Sequence, residues 1–159
     1  MLFLLLRNLF FTILQPGLVA GLIPYWILRN KVNLASIQTI RFHHYTGAIV
    51  FLIGLVIMLS CIISFAVKGR GTLSPVDPTK HLVISGLYRF SRNPMYVGVI
   101  MMLIGEAIFF QSSDLLIYLL IVFIGFNLFI LLHEEPRLRK DFGEEYDTYC
   151  KKVKRWGLF

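Results

Sequence analysis

Two short polar stretches could carry chemistry in this chain, and both border apolar runs. The first, SRNP, ends at Pro94, which suits the first turn of a helix, with Asn93 at its N-cap position. Backbone N–H groups at a helix start, together with the guanidinium groups of Arg89 and Arg92, favour a bound carboxylate or phosphate. The second, HEE at residues 133–135, adds two carboxylates. These can accept hydrogen bonds from a sugar diol, face a cationic centre, or pair with an arginine.

The composition is typical of a membrane protein. Hydrophobic residues make up 57% of the 159 residues, and the mean hydropathy of +0.71 is far above that of an ordinary globular domain. The net charge of +7 does not indicate nucleic acid, because the basic residues border apolar segments, where lipid headgroups and membrane topology explain them. Cys61 lies in an apolar run and Cys150 in a charged tail, so neither a disulfide nor a metal site is expected.

Four apolar segments have roughly the length that a bilayer requires. Arg7 and the triplet QPG at residues 15–17 interrupt the first segment, which predicts a kinked span or a re-entrant element. Only QSSD separates the third segment from the fourth, so these two form an antiparallel hairpin. The predicted segments are residues 2–28, 45–67, 94–110 and 115–132.

The remaining polar regions set the topology. Residues 68–93 form a connector rich in Gly and Pro, and residues 134–159 form a tail whose apolar side chains recur every three or four positions, as in an amphipathic helix. Both regions are rich in Lys and Arg, which places them in the cytoplasm, although three basic residues in the first loop oppose this assignment. The sequence therefore predicts an all-α, multi-pass membrane protein of one domain, 1–159, with about four transmembrane helices and a cytoplasmic C-terminal amphipathic helix.

The order and spacing of these motifs resemble a known family. HLVISGLYRFSRNPMYVG, followed by EEPRLRKDFGEEYDTYCKKVKRW, is similar to the isoprenylcysteine carboxyl methyltransferase family and its phospholipid methyltransferase relatives. These are multi-span membrane enzymes that use S-adenosylmethionine, and the resemblance covers residues 69–156. Asn93 stands where eukaryotic carboxyl methyltransferases tend to have His before Pro, which weakens the case for a prenylcysteine substrate.

The resemblance implies the site. It assigns Arg92 and Glu135 as catalytic residues, S-adenosylmethionine as cofactor with S-adenosylhomocysteine as product, and a lipophilic small molecule or membrane lipid as acceptor. It implies no metal and an active site that faces the cytoplasm. The tail helix, with Phe142, Tyr146 and Tyr149, is then either a lid over the pocket or a helix that lies on the membrane surface. The implied cofactor-binding residues are His81, Gly86, Tyr88, Arg92, Asn93, Pro94, Tyr96, Glu134 and Glu135.

Two alternatives remain open at this point. Sterol-type membrane reductases end in a comparable Glu-Glu and Phe-Gly-x-x-Tyr region, and in such an enzyme the arginines would bind the 2′-phosphate of NADPH. The other alternative is a non-catalytic membrane scaffold with a degenerate pocket. The compact chain and short connector favour the smaller cofactor, S-adenosylmethionine.

Overall fold

A computed structural model describes residues 16–29, 40–68 and 82–157, and throughout these ranges the regular structure is helical. A short 3-10 turn, Gly86–Arg89, precedes the third helix, and a five-residue π-helical turn, Ile130–Glu134, joins the fourth to the fifth. The helices are α1 (Leu18–Leu28), α2 (Phe42–Lys68), α3 (Pro94–Phe110), α4 (Ser113–Phe129), α5 (Glu135–Phe142) and α6 (Glu144–Lys152).

Helices α2 and α3 form the most extensive contact, and glycine makes their close approach possible. Gly47 of α2 faces Gly105 of α3, and Gly54 faces Gly98, so the two helices run antiparallel. A Cβ atom at Gly105 would lie 2.5 Å from the backbone nitrogen of Phe51 and 2.7 Å from the carbonyl oxygen of Gly47. The two backbones therefore touch directly, as in helix pairs that associate through small residues in lipid.

Within the described ranges, two helices are long and apolar enough to cross a membrane: Phe42–Ser64, and the continuous helix Ser113–Phe142. Large apolar side chains on both are exposed, including Leu52 and Val56 on α2 and Ile117 and Ile121 on α4. In lipid such surfaces need no protein cover. Leu18–Leu28 and Pro94–Phe110 are shorter apolar helices, so the expected total of four spans stays a prediction.

Helix α1 is irregular, as the interruption in the first apolar segment predicts. Its first five residues, Leu18–Leu22, form a π-helical turn, and Ala20 inside it has the non-helical angles φ −107° and ψ 17°. Ala20 lies four residues before Pro24, which has no N–H to bond the Ala20 carbonyl and whose ring crowds that carbonyl. The Tyr118 hydroxyl donates to the carbonyl oxygen of Val19 at 2.9 Å and so fastens this turn to α4.

The hairpin between α3 and α4 is tighter than expected. Helix α3 occupies the predicted range, whereas α4 starts at Ser113 and leaves only Gln111 and Ser112 between the two helices. Gln111 adopts a left-handed conformation with φ 47°, and the Ser112 hydroxyl accepts from the backbone N–H of Leu115. This hairpin returns the chain to the end of the bundle where α3 begins.

The expectation of one amphipathic tail helix is wrong in its boundaries. The helix of α4 does not end at Leu132 but continues through the π-helical turn into α5, and only then does the chain break at Gly143. Gly143 has φ 51° and ψ −125°, a conformation open mainly to glycine, so a second helix, α6, starts in a new direction. The tail therefore consists of two short helices, and α6 can fold back over the connector.

The glycine contact gives the first prediction. Gly105→Ala should lower the free energy of unfolding by about 1–3 kcal/mol, because its Cβ overlaps the backbone of α2. Gly125→Ala is the matched control, since a Cβ there meets nothing within 4 Å. Thermal unfolding in detergent measures both. Equal midpoints for the two variants would show that α2 and α3 do not touch as described.

Candidate functional site

Arg92 and Glu135 form an ion pair at the end of the bundle. Arg92 lies just before α3, and Glu135 is the first residue of α5, so the α3–α4 hairpin brings them to the same side. Arg92 Nη1 lies 3.1 Å from Glu135 Oε1, and the two side chains are only 13% and 11% exposed. The expected proximity of the SRNP and HEE stretches is therefore found, with Arg92 in place of Arg89, which is exposed.

The tail completes the surroundings of Arg92. Nη1 also lies 2.8 Å from Cys150 Sγ and 3.4 Å from the Tyr146 hydroxyl, both on α6. Burial opposes the charge of Arg92, but the neighbouring Cys150 and Glu135 outweigh it and raise the pKa of the guanidinium. Its Nε atom is buried and has no hydrogen-bond partner among the described residues. One donor of Arg92 thus remains for an acceptor.

Glu135 also forms an ion pair with a second arginine, Arg155. Arg155 donates from Nε and Nη2 to the two carboxylate oxygens of Glu135, both at 2.9 Å. The backbone of Arg155 is fastened to the SRNP stretch, because its carbonyl oxygen accepts from Ser91 Oγ at 3.0 Å and from Asn93 Nδ2 at 3.2 Å. The Arg92 N–H donates to the carbonyl oxygen of Lys154 at 3.0 Å. The chain end after α6 is therefore an integral part of the site.

Glu134 points to a different partner from its neighbour. Its Oε2 atom accepts a hydrogen bond of 2.9 Å from the hydroxyl of Tyr96 on α3. The Tyr96 ring in turn packs at 4.7 Å from the ring of Phe126 on α4. Consecutive residues on a helix point about 100° apart, so Glu134 and Glu135 face different partners. Glu134 also ends a π-helical turn, a feature that occurs frequently at functional sites.

Helix α6 contacts the described end of the connector, residues 82–93. The Tyr149 hydroxyl donates to the carbonyl oxygen of Tyr88 at 2.6 Å, and burial raises the pKa of Tyr149 to about 12 against the opposing effect of Arg92. The Tyr88 side chain packs in a buried cluster with Cys61 and Val83. Burial, with Cys61 and Glu134 nearby, raises the pKa of Tyr88. The Tyr149 hydroxyl thus links α6 to the turn before α3.

The structure places the predicted site residues in three groups. Arg92 pairs with Glu135, and Tyr96 pairs with Glu134. The carbonyl oxygen of Tyr88 accepts the hydrogen bond from Tyr149 on α6. Gly86, with φ 66°, begins the turn that contains Tyr88. His81 lies outside the described residues. The predicted site residues that fall within the described ranges are Gly86, Tyr88, Arg92, Asn93, Pro94, Tyr96, Glu134 and Glu135.

The helix start at Pro94 differs in one detail from the expectation. Pro94 is the first residue of α3 and Asn93 is its N-cap, but the Asn93 side chain makes no capping hydrogen bond. The reason is that its amide is already used on the carbonyl of Arg155, while its backbone N–H donates to Ser91 Oγ at 3.1 Å. Asn93 therefore ties the chain end to the site.

Sequence reasoning missed the contribution of Asn127 and Trp156. The Trp156 indole donates from Nε1 to Asn127 Oδ1 at 3.0 Å, and its ring lies 5.0 Å from that of Phe123. A signal was present, since Asn127 is a single amide in the apolar run of α4. Polar residues inside membrane helices commonly have a partner or a function.

No group of three or more His, Cys, Asp and Glu side chains in the described ranges could hold a metal ion. The charged cluster instead offers guanidinium donors and carboxylate acceptors within one small volume. It can bind a ligand that carries both a negative and a positive group, since each group finds an opposite charge there.

These features, long apolar helices with a charged cluster at one end, define a helical membrane protein with a polar site beside its apolar surface. The family model for phospholipid methyltransferase matches residues 42–145, about two-thirds of the chain, and the chain belongs to this family. No curated protein and no solved structure gives a significant match. The match includes α2, which the sequence motifs did not reach, together with SRNP and both glutamates, and membership makes the protein a membrane methyltransferase in class.

The shared carboxylate gives the second prediction. Glu135→Gln should lower the free energy of unfolding by about 3 kcal/mol, because it leaves two largely buried guanidinium groups without their counter-charge. Asp147→Asn is the matched control, since Asp147 pairs with Arg139 where both side chains are more than half exposed, and should change it by less than about 1 kcal/mol. Denaturant unfolding in detergent measures both. An unchanged stability of Glu135→Gln would contradict the central role of this carboxylate.

Proposed function

We propose that this protein transfers a methyl group from S-adenosylmethionine to a lipophilic acceptor at the boundary between membrane and cytoplasm. Membership of the phospholipid methyltransferase family supports the reaction class. The observation that carries the proposal is the meeting of Arg92 and Glu135 at 3.1 Å, where the start of α3 and the start of α5 come together.

The residues fit the cofactor's charge pattern. S-adenosylmethionine carries a carboxylate, an ammonium and a sulfonium, and the cluster offers groups of both opposite signs. The buried Nε of Arg92, without a partner among the described residues, is a donor suited to the carboxylate. Glu135 and Glu134 are acceptors suited to the cationic groups or to a ribose diol. Tyr96 and Phe126 supply an aromatic wall for the adenine.

The bound cofactor supplies a methyl group that is already activated by its positive sulfur. The protein's own task is then to orient the two reactants and to keep water out. Arg92 and Glu135 orient the polar reactant, while Tyr146 and Tyr149 on α6 close the cytoplasmic side. A carboxylate or thiolate acceptor needs no further proton removal, whereas an amine needs a base, for which Glu134 lies within reach of the same site.

The membrane explains why the site lies where it does. The exposed apolar faces of α2 and α4 give a lipophilic acceptor a lateral route, while the cofactor arrives from water. We place the site on the cytoplasmic face, because the connector and the tail carry most of the Lys and Arg residues. The protein is accordingly proposed to be multi-pass.

Calorimetry with S-adenosylhomocysteine provides the third prediction. The intact protein should bind this product, and Arg92→Lys should weaken binding about tenfold because lysine loses the fork-shaped donor set. Arg139→Lys, at an exposed surface pair, is the matched control and should leave binding unchanged. A titration with NADPH completes the experiment. Binding of NADPH without binding of S-adenosylhomocysteine would reject the methyltransferase proposal in favour of a reductase.

Transfer from labelled S-adenosylmethionine provides the fourth prediction. Membrane vesicles that contain the protein should incorporate label into a lipid-soluble product, which mass spectrometry of the extract identifies. Inverted vesicles, with the cytoplasmic face outward, should react when cofactor is added outside, and sealed right-side-out vesicles should not. Vesicles that contain the Glu135→Gln variant measure the background incorporation of label. Equal labelling of both orientations, above that background, would contradict the cytoplasmic placement.

A further inference from the structure

Glu135 pairs with two arginines at once. Arg92 and Arg155 both contact Oε1, at 3.1 Å and 2.9 Å, and Arg155 also reaches Oε2. The neighbouring acid, Glu134, accepts a hydrogen bond from Tyr96 instead. Because Glu135 is shared between two guanidinium groups, a bound anion can replace it as the partner of one of them.

Of the two arginines that contact Glu135, Arg155 is the one that can exchange this carboxylate for another acceptor. Its side chain is 27% exposed, against 13% for Arg92, and it lies in the segment after α6 rather than at a helix start. Its backbone stays fastened through Ser91 and Asn93 whatever the guanidinium does. The Nε–Nη2 edge holds Glu135, while the other edge of the guanidinium is available to a second acceptor.

Arg155 also lies next to the lipid-facing helix. The adjoining residue, Trp156, is hydrogen-bonded to Asn127 and packs beside Phe123, both on α4, which belongs to a helix long enough to cross the membrane. Tryptophan is typical of the membrane–water interface. A lipid that approaches along α4 would thus present its headgroup at the level of Arg155.

We infer that Arg155 binds an oxyanion of the acceptor, a phosphodiester or a carboxylate, and thereby determines which lipids the enzyme accepts. The inference rests on the proposed function: when the cofactor's cationic groups engage Glu135, the Arg155 guanidinium is released to the acceptor. Arg155 then couples cofactor binding to acceptor binding. The cofactor takes over the Glu135 carboxylate, and the anion of the acceptor replaces that carboxylate as the partner of Arg155.

Binding of three short lipids to the full chain in uncharged detergent, with saturating S-adenosylhomocysteine, tests this. The probes are dihexanoyl phosphatidylethanolamine, N-acetyl-S-farnesylcysteine and dihexanoylglycerol, which carry a phosphodiester, a carboxylate and no charge. Arg155→Ala should weaken binding of one oxyanion probe about tenfold and leave the uncharged probe unchanged. The affected probe identifies the source of the oxyanion. Arg155→Lys keeps the positive charge but loses the forked guanidinium donors, so it should bind the affected probe with an intermediate affinity.

The matched control is Lys152→Ala, which removes one exposed positive charge three residues away and should bind every probe as the intact protein does. Binding of both oxyanion probes at unchanged affinity by Arg155→Ala would overturn the inference, as would an equal loss for the uncharged probe. Should Arg155→Ala fail to fold, unchanged affinity of Arg155→Lys for both oxyanion probes overturns it instead. Failure of the intact protein to bind S-adenosylhomocysteine would reject the proposed function itself, which the other outcomes leave standing.

Discussion

The buried ion pair between Arg92 and Glu135 is the constraint on which the site depends. Each charge would be costly where it lies without the other, since both side chains are largely removed from water. The pair joins the loop before α3 to the start of α5, and Arg155 adds the chain end to the same carboxylate. Three separate parts of the sequence are therefore held together by one acidic group, at the point where the apolar helices end.

The helix packing makes that pair possible. The glycines of α2 and α3 allow direct backbone contact, which fixes α3 as a rigid support for the residues before Pro94. The two-residue loop at Gln111 and Ser112 then requires α4 to run back beside α3. With little freedom in either contact, the beginning of α3 and the end of α4 must lie side by side. The polar site is thus positioned by apolar packing that carries no chemistry itself.

Much of this arrangement follows from local patterns in the sequence. Apolar length predicted α2 and the hairpin, Pro94 marked the first residue of α3, and the short hairpin loop implied that SRNP and HEE meet. The break at Gly143 and the extension of α4 through Leu132 were not predicted, because apolar periodicity does not report a π-helical turn or a single change of backbone direction.

The sequence did not predict the role of the chain end either. Nothing in the local sequence pairs Arg155 with Glu135 or Trp156 with Asn127, since these partners lie 20 and 29 residues away. Such pairings depend on how α6 folds back, which is a tertiary effect. Asn93 is a second example. Its N-cap position was predicted, but its side chain donates to the carbonyl of Arg155 instead of capping the helix.

The five-residue turn at Ile130–Glu134 has a geometric consequence for the whole cytoplasmic end. It winds more residues into one turn than an α-helix, so everything beyond it is rotated by roughly 100° relative to an uninterrupted helix, the angle that one residue subtends. That rotation applies to Glu135 and all of α5, and so sets the direction in which the Glu135 carboxylate meets Arg92 and Arg155. Helix phase, as well as residue type, decides which partners the acids at this end of the bundle reach.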